Sequence, residues 1–163
     1  MSEPNFELLK PSRKRLVPGD IFVMRYPGIG YLFGRVIYVD LPAGRAPFPG
    51  CNFVYIYDER SSVSDPDGLS LVRENLLVPP IFINRLPWSR GYFQTVAHTP
   101  LQAGDILERH CFDATVFNKI MFVDQDYAKL DEPFEPCGNW ALNSYLTIDD
   151  AVSEALGIPL APD

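Results

Sequence analysis

At 163 residues the chain is long enough for one domain with a sizeable core, so no disulfide or metal is needed to fold it. A composition of 47% hydrophobic and 21% charged residues excludes a disordered polyelectrolyte, while 16 prolines and 13% aromatics disfavour a helical bundle and favour short strands with proline-marked turns. No apolar run approaches the ~20 residues of a membrane span, and the first residues lack the charged-then-apolar order of a signal peptide. The expectation is a cytoplasmic domain with no membrane partner.

The net charge of −7 is unevenly placed. Residues 1–98 carry 11 Lys and Arg against 9 Asp and Glu, whereas residues 99–163 carry 3 against 12. An acidic C-terminal part repels phosphate backbones and attracts basic surfaces. A basic protein domain is the expected partner and nucleic acid is not, the alternative being that the acidic face only keeps the protein soluble.

Residues 1–15 end in Lys10-Pro11-Ser12-Arg13-Lys14-Arg15 and read as a flexible basic arm. A single β-rich domain is expected over 16–158, with a tail at 159–163. Gly19-Asp20 turns the chain into a strand, Ile21 to Tyr26. Pro27-Gly28 suits a type II turn, because proline presets φ and glycine accepts positive φ, and Gly30 opens the return strand to Asp40. Gly28, Gly30 and Gly34 miss the dinucleotide-binding spacing by one residue, and β-branched and aromatic residues follow where that motif needs a helix. Pro42 to Gly50 is a loop, Asn52 to Tyr57 a third strand, and Asp65-Pro66-Asp67-Gly68 another turn. Ile81 to Ile83 and Thr95 to Ala97 are short strands. Ala103-Gly104-Asp105-Ile106-Leu107 echoes Pro18 to Phe22 and is expected to open a strand, and Val116 to Val123 adds an apolar run.

One helix is expected, at about 148–156. Thr147 is its candidate cap, with Asp150 in the capping-box position and Asp149 at the positive end of the dipole. Ile148, Ala151, Val152, Ala155 and Leu156 form an apolar stripe for the sheet, and Gly157 then Pro159 end the helix.

The chain offers little reactive chemistry. Cys51, Cys111 and Cys137 form no Cys-x-x-Cys and are expected to be reduced thiols without pairing geometry. His110 and Cys111 are adjacent, so on a strand they point to opposite faces; His98 with Cys111 stays open. No catalytic residue and no enzyme activity are expected. A calcium loop starting at Asp124 fails, since Ala128 and Lys129 stand where an oxygen ligand and glycine are required, so no metal or other cofactor is expected. The acidic stretch instead reads as a partner-binding surface of Asp124, Asp126, Tyr127, Asp131, Glu132 and Glu135. Trp88 and Tyr92 are further candidate contacts, as aromatics are favoured at interfaces.

Pro18-Gly19-Asp20-Ile21-Phe22, Tyr31-Leu32-Phe33-Gly34-Arg35-Val36 and Asn52-Phe53-Val54-Tyr55-Ile56-Tyr57 resemble the immunity protein 26 family, mostly β cognates of secreted bacterial polymorphic toxins. The resemblance extends through Gly91-Tyr92-Phe93 to Gly138-Asn139-Trp140 and the terminal helix. It implies a non-catalytic, cofactor-free protein that blocks a toxin in the cell that makes it. A small-barrel ribonuclease toxin or other hydrolase, and a regulatory peptide-binding β module, are the alternative readings. The expected fold is β-dominated α+β: a strongly bent antiparallel sheet or partly open, SH3-like small barrel with the C-terminal helix packed on it.

Overall fold

The long strands form because apolar, β-branched and aromatic residues run almost unbroken through them, as they do when a sheet is covered on both faces. The computed structural model describes residues 3–163. Its strands are β1 (Asp20–Tyr26), β2 (Gly30–Leu41), β3 (Cys51–Ser61), β4 (Ile81–Ile83), β5 (Gln94–His98), β6 (Cys111–Asp113), β7 (Phe122–Val123), β8 (Cys137–Asn139) and β9 (Leu142–Asn143). Two helices, α1 (Leu86–Arg90) and α2 (Tyr145–Leu156), complete it. No helix among the described residues is long and apolar enough to cross a membrane.

The main sheet has the order β5-β1-β2-β3-β4-β9, and the small one β7-β6-β8. The chain is thus β-dominated with a packed C-terminal helix, as the sequence implies. One detail differs from expectation. The sheets are mixed, because β9 joins β4 and β8 joins β6 in parallel. No closed barrel forms, and β5 and β9 remain the ends of the main sheet. Each parallel pair is separated by a long excursion of chain, which is what parallel pairing requires.

Alternation sorts the side chains into two layers. Phe22, Met24, Tyr26, Val54, Ile56 and Ile83 point to one face and pack with Phe6, Trp88, Phe93, Ile148 and Val152. Phe53, Tyr55, Tyr57 and Phe82 point to the other and pack with Phe112, Val123 and Trp140 of the small sheet. Gly34 is fixed by the first layer: a Cβ there would lie 2.3 Å from the Phe22 ring.

The N-terminal segment is not the solvated arm its charge suggests. Phe6 is buried with an exposure of 2%. Glu7 N donates to Arg25 O (2.7 Å), Leu9 N to Gly91 O (2.7 Å) and Ser12 N to Trp88 O (2.9 Å). An apolar residue inside a polar run has docked the segment.

α2 starts one turn earlier than expected. Ser144 is the cap, its Oγ accepting from Thr147 N at 3.1 Å, and Gly157 closes the helix with φ 73°. Its buried side is Ile148, Asp149, Val152 and Ser153, while Ala151 and Ala155 of the expected stripe face water. Asp149 turns inward because its carboxylate accepts from Tyr26 Oη (2.8 Å) and Asn5 N (2.8 Å). No strand follows Asp105; residues 103–105 form one 3-10 turn, and Arg35, buried beneath it, pairs with Asp105 at 3.4 Å and donates to Thr99 O at 2.7 Å. That clasp ties the chain leaving the main sheet to the sheet's second face.

Candidate functional site

The small sheet carries its own outer surface on two short connections. The first is the β6–β7 hairpin. Val116 N and Lys119 N each donate to the other residue's carbonyl, at 3.2 and 2.9 Å. Phe117 and Asn118 between them have φ of 49° and 66°. Positive φ at both central residues makes this a type I′ turn, which matches strand twist but favours glycine or asparagine. Asn118 suits it and Phe117 does not. The turn drives Phe117 fully into water, with an exposure of 98%, beside Val116 at 57% and Ile120 at 75%.

The second connection is the acidic stretch. Asp124 Oδ1 accepts from Asp126 N and Ala128 N, both at 2.9 Å, and Asp124 N donates to Ala128 O at 2.9 Å. Asp124 is therefore a scaffold for its own loop. The tight loop holds Tyr127 at φ 63° and lays its ring against Trp140, with centroids 5.1 Å apart. Trp140 in turn rests on Phe82 (5.2 Å) and Phe112 (5.5 Å), so the core reaches this surface through a stack of rings. Asp113, Thr115, Val116, Tyr127, Asn139 and Trp140 line a shallow groove of about 310 Å³. The Thr115 side chain and then its backbone N–H bond to the Asp113 carboxylate and hold its pKa below the usual value. It carries full charge at neutral pH.

Further along, Asp131, Glu132 and Glu135 are exposed and make no ion pair among the described residues, whereas Asp126 lies 3.5 Å from Arg45. Arg109 stacks on Phe134 at 4.4 Å. Between residues 109 and 140 there are 6 acids and 3 Lys and Arg. That imbalance is smaller than the one in the whole C-terminal part, where Asp105 pairs with Arg35 and Asp149 is interior.

The other aromatic candidates lie elsewhere. Trp88 is 2% exposed, wedged against Phe22 (5.0 Å) and Phe93 (5.2 Å), so it is a core residue with no surface to present. Tyr92 is half-buried and stacks on Tyr145 of α2 at 4.9 Å. Neither belongs to the acidic face. Phe117, Ile120, Asp113 and Asn139 do lie on the small sheet's outer side and were not picked out by sequence reasoning. The signal available was Phe-Asn between two apolar stretches, a weak form of the Asn-Gly hairpin cue.

The histidines and thiols have structural partners. His110 is buried, with Tyr55 Oη 2.7 Å from Nε2, and desolvation pushes its pKa down to about 4. His98 Nδ1 lies 2.9 Å from Asp20 Oδ1 and has no hydrogen bond to Cys111. The thiol expectation needs correction. Cys111 and Cys137 are register partners on β6 and β8 with sulfurs 2.8 Å apart, a proximity created by the parallel pairing that sequence spacing concealed. Burial, then the Cys111 neighbour, pushes Cys137 up to about 12, so it is a thiol at neutral pH. Among the described residues, no group of three or more His, Cys, Asp or Glu is placed to hold a metal ion.

The sequence model of immunity protein 26 matches residues 17–117, well over half of the chain. The chain belongs to the immunity protein 26 family. No curated protein matches it, and no solved structure does. Membership supports a toxin-immunity role and a toxin as partner. The match ends nearer than the expected 158, at the tip of the β6–β7 hairpin. It takes in β1 to β6, and the acidic loop, β7 to β9 and α2 follow it.

Proposed function

We propose that this immunity protein neutralises a cognate toxin by occlusion, without catalysis, through the outer surface of its small sheet. Phe117 carries the reading. A bulky apolar side chain held in left-handed backbone, entirely in water, stabilises nothing within its own chain. Such strain is characteristic of sites kept for a partner. Around it stand the parts of an interface: Val116 and Ile120 as further apolar contacts, Tyr127 on the Trp140 platform as an aromatic anchor, and a rim of Asp126, Asp131, Glu132 and Glu135. Apolar anchors govern dissociation, and the acidic rim steers a basic toxin surface and excludes wrong partners.

The test is binding kinetics against the cognate toxin domain, to be sought in the adjacent reading frame, with the wild type, Asp126→Lys and Glu132→Lys at low and high salt. Glu132 has no ion pair of its own, so its reversal is expected to slow association by about tenfold at low salt, with the difference shrinking at high salt. Asp126, already offset by Arg45, is expected to respond less. Wild-type association rates for both variants at low salt would reduce the acidic rim to a solubility feature.

A further inference from the structure

A second groove lies apart from the small sheet's residues, at the other end of the main sheet. It has a volume of about 650 Å³ and runs between the N-terminal segment (Lys10 to Val17) and β5, where it touches all five residues from Gln94 to His98. Successive side chains of a strand point to opposite faces, so a groove bordered by five consecutive residues cannot sit on one face of the sheet. It follows the edge of the strand. β5 is the end of the main sheet, paired only to β1. Its other edge makes no main-chain hydrogen bond among the described residues: the N-terminal segment bonds to Gly91 and Trp88, then passes β5 without pairing to it. A row of unpartnered N–H and C=O groups beside an open groove is a template for an added strand.

The walls give the sign of the occupant. Lys10, Lys14 and Arg15 line the groove, and none of them makes an ion pair among the described residues. Arg13, Arg15 and Arg85 continue the positive ridge along the neighbouring groove, where Asp40 is the one acid. The single acid in the first groove, Asp20, is buried and engaged by Val17 N (2.9 Å) and His98 Nδ1 (2.9 Å). The docking of Phe6 and the bonds from Leu9 and Ser12 fix the backbone of the segment beside the strand, so these exposed cations are presented along the edge. We propose that this groove takes an acidic, extended segment of a partner protein, added as a strand to the free edge of β5, with carboxylates on Lys10, Lys14 and Arg15. The site is separate from the small sheet's surface and stands whether or not that surface holds a toxin.

The probe is an eight-residue peptide alternating glutamate with valine and threonine, added to the full-length, isotope-labelled protein. Amides of residues 94–98 are expected to shift and to gain hydrogen-exchange protection. The same peptide N-methylated at every residue, which keeps its charge but removes the donors of both edges, is expected not to protect them, and a lysine-for-glutamate version is expected not to bind. Reversing Lys10, Lys14 and Arg15 together to glutamate is expected to weaken the acidic peptide by about tenfold or more, since all three positions are exposed and the fold does not depend on them. Equal binding by the N-methylated peptide would overturn strand addition. A twelve-residue oligothymidylate that displaces the peptide would make the ridge a phosphate site and overturn the proposal, and no response at 94–98 to any acidic peptide would leave the basic segment as a guard on the sheet edge and refute it.

Discussion

Replacing Phe117 by asparagine is expected to make the protein more stable while making it a poorer binder. The ring is 98% exposed, so removing it gives up almost no buried area. The backbone stands at φ 49°, where an L residue with a bulky side chain is roughly 1–2 kcal/mol worse off than in right-handed conformations. Asparagine tolerates that region and is favoured in the first central position of a type I′ turn. The net gain is about 0.5–1 kcal/mol, which for a domain of this length raises Tm by about 1–4 °C. Phe117→Ala is the control. It removes the ring but keeps the strain, so its stability should stay within about 0.5 kcal/mol of the wild type. Both variants should lose the same binding energy, at least about 2 kcal/mol if the ring is an anchor, or roughly 30-fold in Kd. Urea denaturation of the three proteins, followed by titration with the toxin, separates the two effects. An asparagine variant that melts at or below the wild type would show that the ring supports the fold, and the case for Phe117 as an exposed anchor would fail.

Four further outcomes are expected. Tyr26→Phe removes a buried donor from Asp149 and should cost about 1.5–3 kcal/mol in urea unfolding, because the acceptor left behind is charged. His110, whose pKa is depressed to about 4, favours the native state above its unfolded pKa of about 6.5, and this contribution is lost as pH falls towards 4; the wild type should therefore lose about 3 kcal/mol more than His110→Gln between pH 7 and pH 4, by denaturation at each pH. Alkylation of Cys137 by iodoacetamide should keep accelerating beyond pH 10, where an ordinary thiol has levelled off, and a plateau near pH 9 would contradict its burial beside Cys111. Deleting the chain from Tyr145 onward removes Ile148, Val152 and the Asp149 anchor, and should leave a protein that is insoluble or melts at least 10 °C lower by scanning calorimetry.

The main sheet was legible because its signals are local. Ile21 to Tyr26 and Tyr31 to Asp40, joined at Pro27-Gly28, announce a hairpin from composition and turn chemistry alone, and the structure places β1 and β2 there with Tyr26 opposite Gly30. What escaped depends on partners distant in sequence. Nothing near Asp149 marks it as interior; it is drawn in by a hydroxyl 123 residues away. Lys10 to Arg15 looks like a free arm because its anchor, Phe6, precedes it. Cys111 and Cys137 become neighbours only when β8 returns parallel to β6. The acidic stretch was visible as composition, but its internal division was not. Asp124 holds the loop by hydrogen bonds, Asp126 answers Arg45, and Asp131, Glu132 and Glu135 are left with neither role among the described residues.

In the proposed role, that division combines a stable body with a surface suited to one partner. The six-stranded sheet is covered on both faces, and a change in its interior disturbs close packing at a cost of typically 2–5 kcal/mol for a large side chain. The small sheet buries its inner side through Phe112, Val123 and Trp140 but leaves the β6–β7 turn and the acidic loop outside the core. Substitutions at Phe117, Ile120, Asp131 or Glu132 change what a partner meets while removing almost nothing from the interior. At Phe117 the present residue even opposes the turn that carries it. In the proposed role, a surface that carries Phe117 against local backbone preference, on a frame that does not depend on it, is free to follow a changing toxin without unfolding the protein.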